Sequence, residues 1–152
     1  MLAVIFSSYI QVKNKSRRYL VLSGLNHITI AVNNLEQSFS FYVELLGMKP
    51  HAKWHRGAYL SLGELWFCLS CDSSCPSKDY SHLAFDVAAA DFPLVRDKLL
   101  SAGVGVWKQN QSEGDSLYIL DPDGHKLEIH VGGLDERLAS LKLKPYAGLV
   151  LY

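Results

Sequence analysis

The sequence carries no net charge and no long run of one sign: its fifteen basic and fifteen acidic residues cancel over 152 positions. Binding to nucleic acid or to an anionic membrane needs a concentrated basic face. Neither class of partner is therefore expected, and small molecules are. Cysteine is scarce, odd in number and bunched, at Cys68, Cys71 and Cys75. That pattern makes no disulfide framework and fits a reducing, cytoplasmic setting. A closed zinc site would want a fourth ligand, and no nearby pair completes this set. No apolar run is long enough to cross a bilayer. Met1 to Phe6 is apolar but short, and the basic residues Lys13, Lys15, Arg17 and Arg18 follow it, the reverse of a signal peptide. Residues 1–21 are read as a dispensable N-terminal appendage, with Val21 a candidate initiator position.

What remains, residues 22–152, suits one domain, since 49% hydrophobic and 20% charged residues are the proportions of a globular chain with a substantial core. It repeats itself. Asn26-His27-Ile28-Thr29-Ile30-Ala31-Val32 matches Ser81-His82-Leu83-Ala84-Phe85-Asp86-Val87, each a strand with a histidine second and alternating apolar residues. A helix follows each strand. The first is capped by Asn34, buries Leu35, Phe39, Tyr42 and Leu46, and ends at Gly47; the second starts at Asp91 and Pro93, buries Phe92, Val95, Leu99 and Ala102, and ends at Gly103. Three strand-like segments come after each helix: 50–54, 57–62 and 65–70, then 104–108, 115–120 and 125–131. The order is βαβββ twice, an α+β fold of module one (about 22–70) and module two (about 80–131), with a tail helix in 133–152 carrying Leu134, Leu138 and Leu141 on one side and stopping before Pro145. A helix covers only one face of such a sheet, so the other faces must meet each other or a partner and leave a cup.

Parity selects what lines that cup. Asp121-Pro122-Asp123-Gly124 has the chemistry of a tight turn, after which Leu127, Ile129 and Val131 form an apolar row while Lys126, Glu128 and His130 point the other way. The cup row of the first strand is His27, Thr29 and Ala31; the later strands add Tyr80, His82, Ala84, Ser116, Tyr118 and Glu128. Two histidines at matching repeat positions and one carboxylate suit a divalent transition metal. His130 shares parity with Glu128 and is the rival ligand, while His51, His55 and His125 read as loop or turn residues. No fourth ligand is offered by Leu65-Trp66-Phe67-Cys68-Leu69-Ser70, so coordination positions stay open, as catalysis requires. The loop from Asn110 to Ser116 brings Ser112, Ser116 and flexible Gly114 between Lys108 and Arg137, the donors that a phosphate-like dianion needs. Trp54, Tyr59, Trp66 and Tyr80 are candidate pocket aromatics.

Gly24 to Thr29, Gly57 to Leu60, Leu65 to Ser70, Trp107 to Ser116, Asp121 to Glu128 and Pro145 to Gly148 together resemble the fosfomycin-resistance glutathione transferases of the vicinal oxygen chelate superfamily, over nearly all of 22–152. The resemblance implies Mn(II), or another divalent transition metal, on His27, His82 and Glu128. It implies that Thr29 meets the epoxide oxygen of fosfomycin, that Lys108, Ser112, Tyr118 and Arg137 hold its phosphonate, and that Trp66, Tyr80 and Ser116 line the substrate site. Thr29, Lys108, Tyr118 and Arg137 are then the catalytic set. A potassium ion is implied in the loop of Asn110, Ser112, Gly114 and Ser116, and glutathione's thiol, entering past Trp54, Arg56, Tyr59, Cys68, Ser70 and Gln111, attacks the epoxide. Gln111, Arg56 and Leu83 depart from the residues usual at their positions. A domain-swapped homodimer is implied, its cups built across chains, with His27 from one subunit and His82 and Glu128 from the other. Three other functions fit the fold. An iron extradiol dioxygenase would share the ligands without needing the anion clamp, a glyoxalase would want a fourth protein ligand, and a non-enzymatic drug-binding resistance protein would need no metal set.

Overall fold

The computed structural model of the protein describes residues 22–111 and 113–152; the expectations for residues 1–21 and for Ser112 lie outside them. In chain order the elements are β1 (His27–Val32), α1 (Leu35–Ser40) running into one π-helical turn (Phe41–Leu45), β2 (Lys49–Trp54), β3 (Gly57–Leu62) and β4 (Leu65–Cys71), then β5 (Leu83–Asp86), α2 (Phe92–Ser101), β6 (Val106–Lys108), β7 (Ser116–Leu120), β8 (Lys126–His130) and α3 (Leu134–Leu143). Two mixed four-stranded sheets result, ordered β1-β4-β3-β2 and β5-β8-β7-β6. In each the first strand runs parallel to the last and the other neighbours are antiparallel. The repeat seen in the sequence is thus a repeat of topology.

Alternation sorts the residues as expected. Ile30, Val32, Leu60, Phe67 and Leu69 of the first sheet and Phe85, Ile119, Leu127 and Ile129 of the second are buried in one continuous core with Leu35, Tyr42, Phe92 and Leu99 from the helices. The opposite faces stay open, with Trp54, Tyr59, Trp66 and Tyr80 each 39–57% exposed. Among the described residues no helix is long and apolar enough to cross a membrane.

Asn34 caps α1 by accepting from the Gln37 N–H at 3.1 Å, and Gly47 ends the helical run with φ +74°. The run widens into a π turn between these ends, Leu46 N–H reaching Phe41 O five residues back at 3.1 Å, and closes with Met48 N–H on Tyr42 O at 2.9 Å. The extra residue rotates the helix, so the adjacent residues Phe41 and Tyr42 are both buried, while Phe39 and Leu46 are only partly so. Asp91 stands at the N-cap of α2 but makes no capping bond. Its backbone is already helical, because Ala88 O accepts from both Asp91 and Phe92 N–H and winds the chain one turn earlier. Ala102, expected to face inward, is exposed at the end of α2, and of Leu134, Leu138 and Leu141 on the tail helix only Leu141 is buried. The tail helix ends at Leu143, before Pro145 as expected. His51 lies in β2 with Nε2 2.8 Å from Ser61 Oγ, because the turn expected there begins only at His55.

The Asp121–Gly124 turn pairs β7 with β8 and also fastens module two to α1. Asp121 Oδ1 accepts from the N–H groups of Asp123 and His125 at 3.0 and 2.8 Å, and its Oδ2 accepts from the Tyr42 hydroxyl at 2.8 Å. Asp123 accepts from Asn33 Nδ2 at 2.6 Å and Ser38 Oγ at 3.2 Å, and His125 Nε2 reaches Ala31 O at 2.8 Å. Burial raises the Asp121 pKa against these hydrogen bonds, and burial with the facing carboxylate raises that of Tyr42. Tyr42→Phe would leave a buried carboxylate oxygen without its donor, a loss of about 1–3 kcal/mol. The expected result is a lower urea midpoint with an unchanged slope; an unchanged midpoint would show that the bond contributes nothing.

Candidate active site

Parallel pairing of β5 with β8 sets Ala84 beside Glu128, and His82, two residues earlier on the same face, reaches across to the carboxylate. His82 Nε2 lies 2.9 Å from Glu128 Oε2, and its Nδ1 lies 2.8 Å from the backbone oxygen of Tyr80. The carbonyl can only accept, so Nδ1 carries a hydrogen and Nε2 is the nitrogen turned to Glu128. Nε2 and the carboxylate then face each other as two electron-rich atoms, an arrangement stable only with a proton or a cation between them. A histidine whose far nitrogen is fixed by a carbonyl is the ordinary form of a metal-ligating imidazole. Glu128 is buried. Burial opposes its ionisation, but hydrogen bonds from Ser116, Tyr118 and His82, with the charge of His130, outweigh that and hold its pKa below the usual carboxylate value.

Around this pair the cup face of the second sheet supplies donors. Ser116 Oγ donates to Glu128 Oε1 at 2.7 Å and lies 2.7 Å from His130 Nδ1, whose own distance to Glu128 Oε1 is 3.4 Å. Lys108 pairs with Tyr118 across β6 and β7. Its ammonium contacts the Tyr80 hydroxyl and lies 4.6 and 4.5 Å from the ring centroids of Tyr80 and Tyr118. The Tyr80 hydrogen bond is the main cause that raises the Lys108 pKa and keeps it cationic. Trp107 is a site residue that the alternation rule missed. A register shift between Val106 and Lys108 breaks the parity of β6, and the Trp107 indole lies 5.7 Å from His82, 5.8 Å from Tyr80 and 5.3 Å from Tyr118 while donating to Leu127 O. Such a bulge has no mark in the sequence.

The loop after β6 folds back on itself. Asn110 Nδ2 donates to Gly114 O at 2.9 Å, and Gly114 has φ +76° with space for a Cβ closed by Val131 O at 2.9 Å, which together require glycine. Arg137, from α3, is ion-paired with Glu113 of this loop. Gln111 is exposed beside it.

The remaining expected residues lie on the bare face of the first sheet. His27, Trp66 and Ser61 share one cross-strand row; Thr29, Cys68 and Tyr59 share the next; Ala31, Ser70 and Gly57 share the third, with Trp54 opposite Gly57. An aromatic chain crosses these rows, with centroid distances of 4.8 Å for Trp54 to Tyr59, 5.1 Å for Tyr59 to Trp66 and 4.7 Å for Trp66 to His27. Arg56 donates to Cys71 O at 2.8 Å, which ties the β2–β3 turn to the end of β4. His27 Nδ1 lies 2.8 Å from Asn26 Oδ1. Within one chain, then, His82 and Glu128 come together and His27 does not join them. Among the described residues no group of three or more His, Cys, Asp or Glu is placed to hold a metal.

The chain is similar to known proteins in both sequence and fold. Residues 24–129 match the model of the Glyoxalase/Bleomycin resistance protein/Dioxygenase superfamily. The chain is 53% identical over 135 residues to the glutathione transferase FosA of Serratia marcescens, covering 86% of this chain and 96% of that one. It is 33% identical over 134 residues to the metallothiol transferase FosB of Staphylococcus haemolyticus, covering 83% and 96%. Among solved structures, the fosfomycin resistance protein FosX of Listeria monocytogenes with Mn(II) and sulfate superposes with a TM-score of 0.73 at 27% identity, covering 79% of this chain and 98% of that one. A mutant of the same protein, with Mn(II) and 1S,2S-dihydroxypropylphosphonic acid, gives 0.70 at 26% identity, covering 78% and 99%. The chain belongs to the Glyoxalase/Bleomycin resistance protein/Dioxygenase superfamily.

His82→Ala is expected to weaken Mn(II) binding by about tenfold or more, because it removes the oriented nitrogen beside Glu128. Equilibrium dialysis reads this directly. Mn(II) uptake equal to that of the unaltered protein would exclude His82 as a ligand.

Proposed function

We propose that this superfamily member inactivates fosfomycin by adding the thiol of glutathione to its epoxide, with a divalent metal held by His82 and Glu128 of one chain and His27 of a second copy. The observation that carries the reading is the pairing of His82 Nε2 with Glu128 Oε2 at 2.9 Å, next to the cationic Lys108 seated on Tyr80 and Tyr118. One surface thus offers a cation-holding pair beside an anion-receiving one, which is what a phosphonate bearing a neighbouring ether oxygen needs. The 53% identity to a glutathione transferase favours that thiol over another.

The donor set of two imidazoles and one carboxylate fits Mn(II) and its neighbours in the first transition row. When bound, the metal supplies Lewis acidity toward a substrate oxygen. Lys108, Tyr118 and Arg137 are assigned to the phosphonate, with Ser112, which lies outside the described residues; Trp66 and Tyr80 border it. Ser116 directs its single hydroxyl hydrogen to Glu128, so its part in the clamp is to hold that ligand. Oxygen atoms of Asn110, Ser112, Gly114 and Ser116 are assigned to K⁺, whose charge would offset the phosphonate dianion. In the reaction the glutathione thiol gives its proton to solvent, and the sulfur forms a bond to an epoxide carbon as that carbon's bond to oxygen breaks. The electron pair stays on the oxygen, which Thr29 meets with its hydroxyl and which becomes an alcohol on taking a proton from solvent. Trp54, Tyr59 and Ser70 line the open face from which the thiol approaches, with Arg56 and Gln111 at its edges and Cys68 buried in the same row as Tyr59.

Incubation with fosfomycin, glutathione, Mn(II) and K⁺ is expected to give a product whose mass is the sum of antibiotic and thiol. Thr29→Ala should slow the reaction with little change in Mn(II) affinity, and replacing K⁺ by tetramethylammonium at equal ionic strength should slow it too. A dihydroxypropylphosphonic acid as sole product would mean that water, not a thiol, is the nucleophile.

Cross-chain cups make a separate prediction. A heterodimer of His27→Ala and Glu128→Ala chains would collect both defects in one cup and leave the other whole. With random pairing about half the dimers are mixed, so co-expression of the two inactive chains should restore roughly a quarter of full activity. No recovery, with heterodimers demonstrated by mass, would place all three ligands in one chain.

A further inference from the structure

The hydroxyl of Ser116 has one hydrogen and two polar neighbours, Glu128 Oε1 and His130 Nδ1, each at 2.7 Å. A carboxylate that serves as a metal ligand is an anion and can only accept. The hydroxyl hydrogen therefore goes to Glu128, and toward His130 the Ser116 oxygen must be the acceptor, with the hydrogen on Nδ1. Three groups form a directed chain from imidazole N–H through hydroxyl to carboxylate. It ends on Oε1, while Oε2 faces His82 at 2.9 Å.

We infer that His130 is a positioning residue: acting through Ser116 it fixes the rotation of the Glu128 carboxylate and so presents one chosen oxygen to the metal. The inference rests on the reading of His82 and Glu128 as metal ligands given above. The surroundings of His130 support it. Its side chain is only 21% exposed, and strand pairing sets His130 directly opposite Ser116 on β7. The loop closes over the ring: a Cβ on Gly114 would lie 3.8 Å from His130 Cε1, and Asp115 O accepts from Val131 N–H at 3.0 Å. The imidazole is thus held between the anion loop and the metal carboxylate, and the two parts of the site share one hydrogen-bonded residue. His130 does not touch substrate in this account, and its effect passes through Glu128.

The test measures Mn(II) binding to metal-free protein by the loss of the free-ion EPR signal, without substrate or turnover. His130→Phe keeps the ring's bulk and removes the N–H; His130→Asn keeps an N–H near the position of Nδ1. We expect H130F to raise the Mn(II) dissociation constant about 10–100-fold, the range for lost outer-shell partners, and H130N to stay within about threefold of the unaltered protein. Ser116→Ala should match H130F, and the double variant should be no worse than either single one, since all three cut the same chain. Should H130F fail to fold by circular dichroism, S116A carries the decision with the imidazole intact. Equal Mn(II) affinity in S116A and the unaltered protein, or H130N as weak as H130F, would overturn the inference. Absence of Mn(II) binding by the unaltered protein would overturn the metal reading and the inference with it.

Discussion

A helix can cover only one face of a four-stranded sheet, and that constraint governs this protein twice over. In both modules the helix side is filled by aliphatic residues and phenylalanine packed into one core, and the other side is left to polar and aromatic residues that alternation places there. The bare faces differ in content. The first carries the chain of rings from Trp54 to His27; the second carries His82, Glu128, Ser116 and Lys108. Neither face alone holds a full ligand set. Association of two copies would remove apolar ring surface from water and at the same stroke complete a site, so that stability and chemistry would arise from one event.

Within the second face the directions of the hydrogen bonds matter more than their number. The Tyr80 carbonyl fixes one nitrogen of His82, Ser116 fixes one oxygen of Glu128, and what is left over is one nitrogen and one oxygen turned toward each other. Donors around the buried Glu128 carboxylate hold its pKa below the usual value, although burial alone would raise it. The same economy joins the modules, where Asp121 and Asp123 of a single turn accept hydrogen bonds from Tyr42, Asn33 and Ser38 of the other repeat. The turn that returns β8 to the site therefore also anchors it to the helix of module one.

Much of this was legible in the sequence because period-two alternation and glycine punctuation are local. The match of residues 26–32 with 81–87 gave the repeat, the Asp121–Gly124 turn gave the return strand, and parity gave Glu128 its face. Gly47 and Gly103 mark helix ends with φ +74° at both. What escaped was backbone geometry that residue type does not mark. The π turn that buries Phe41 beside Tyr42, the bulge that swings Trp107 onto His82, and the winding before Asp91 that makes its cap needless all leave the residue pattern unchanged. Ser116 was read onto the cup row, but only the pairing of β7 with β8 reveals that His130 stands opposite it. The same alternation puts His27 on a bare sheet face but does not say which copy's metal it would join.

That last point is the centre of the account, and native mass spectrometry of the Mn(II)-loaded protein tests it directly. Two chains carrying two Mn(II) ions, with metal release and dissociation into single chains occurring together, is the result that follows from ligands shared across the bare faces. A single chain that retains one tightly bound Mn(II) would contradict it.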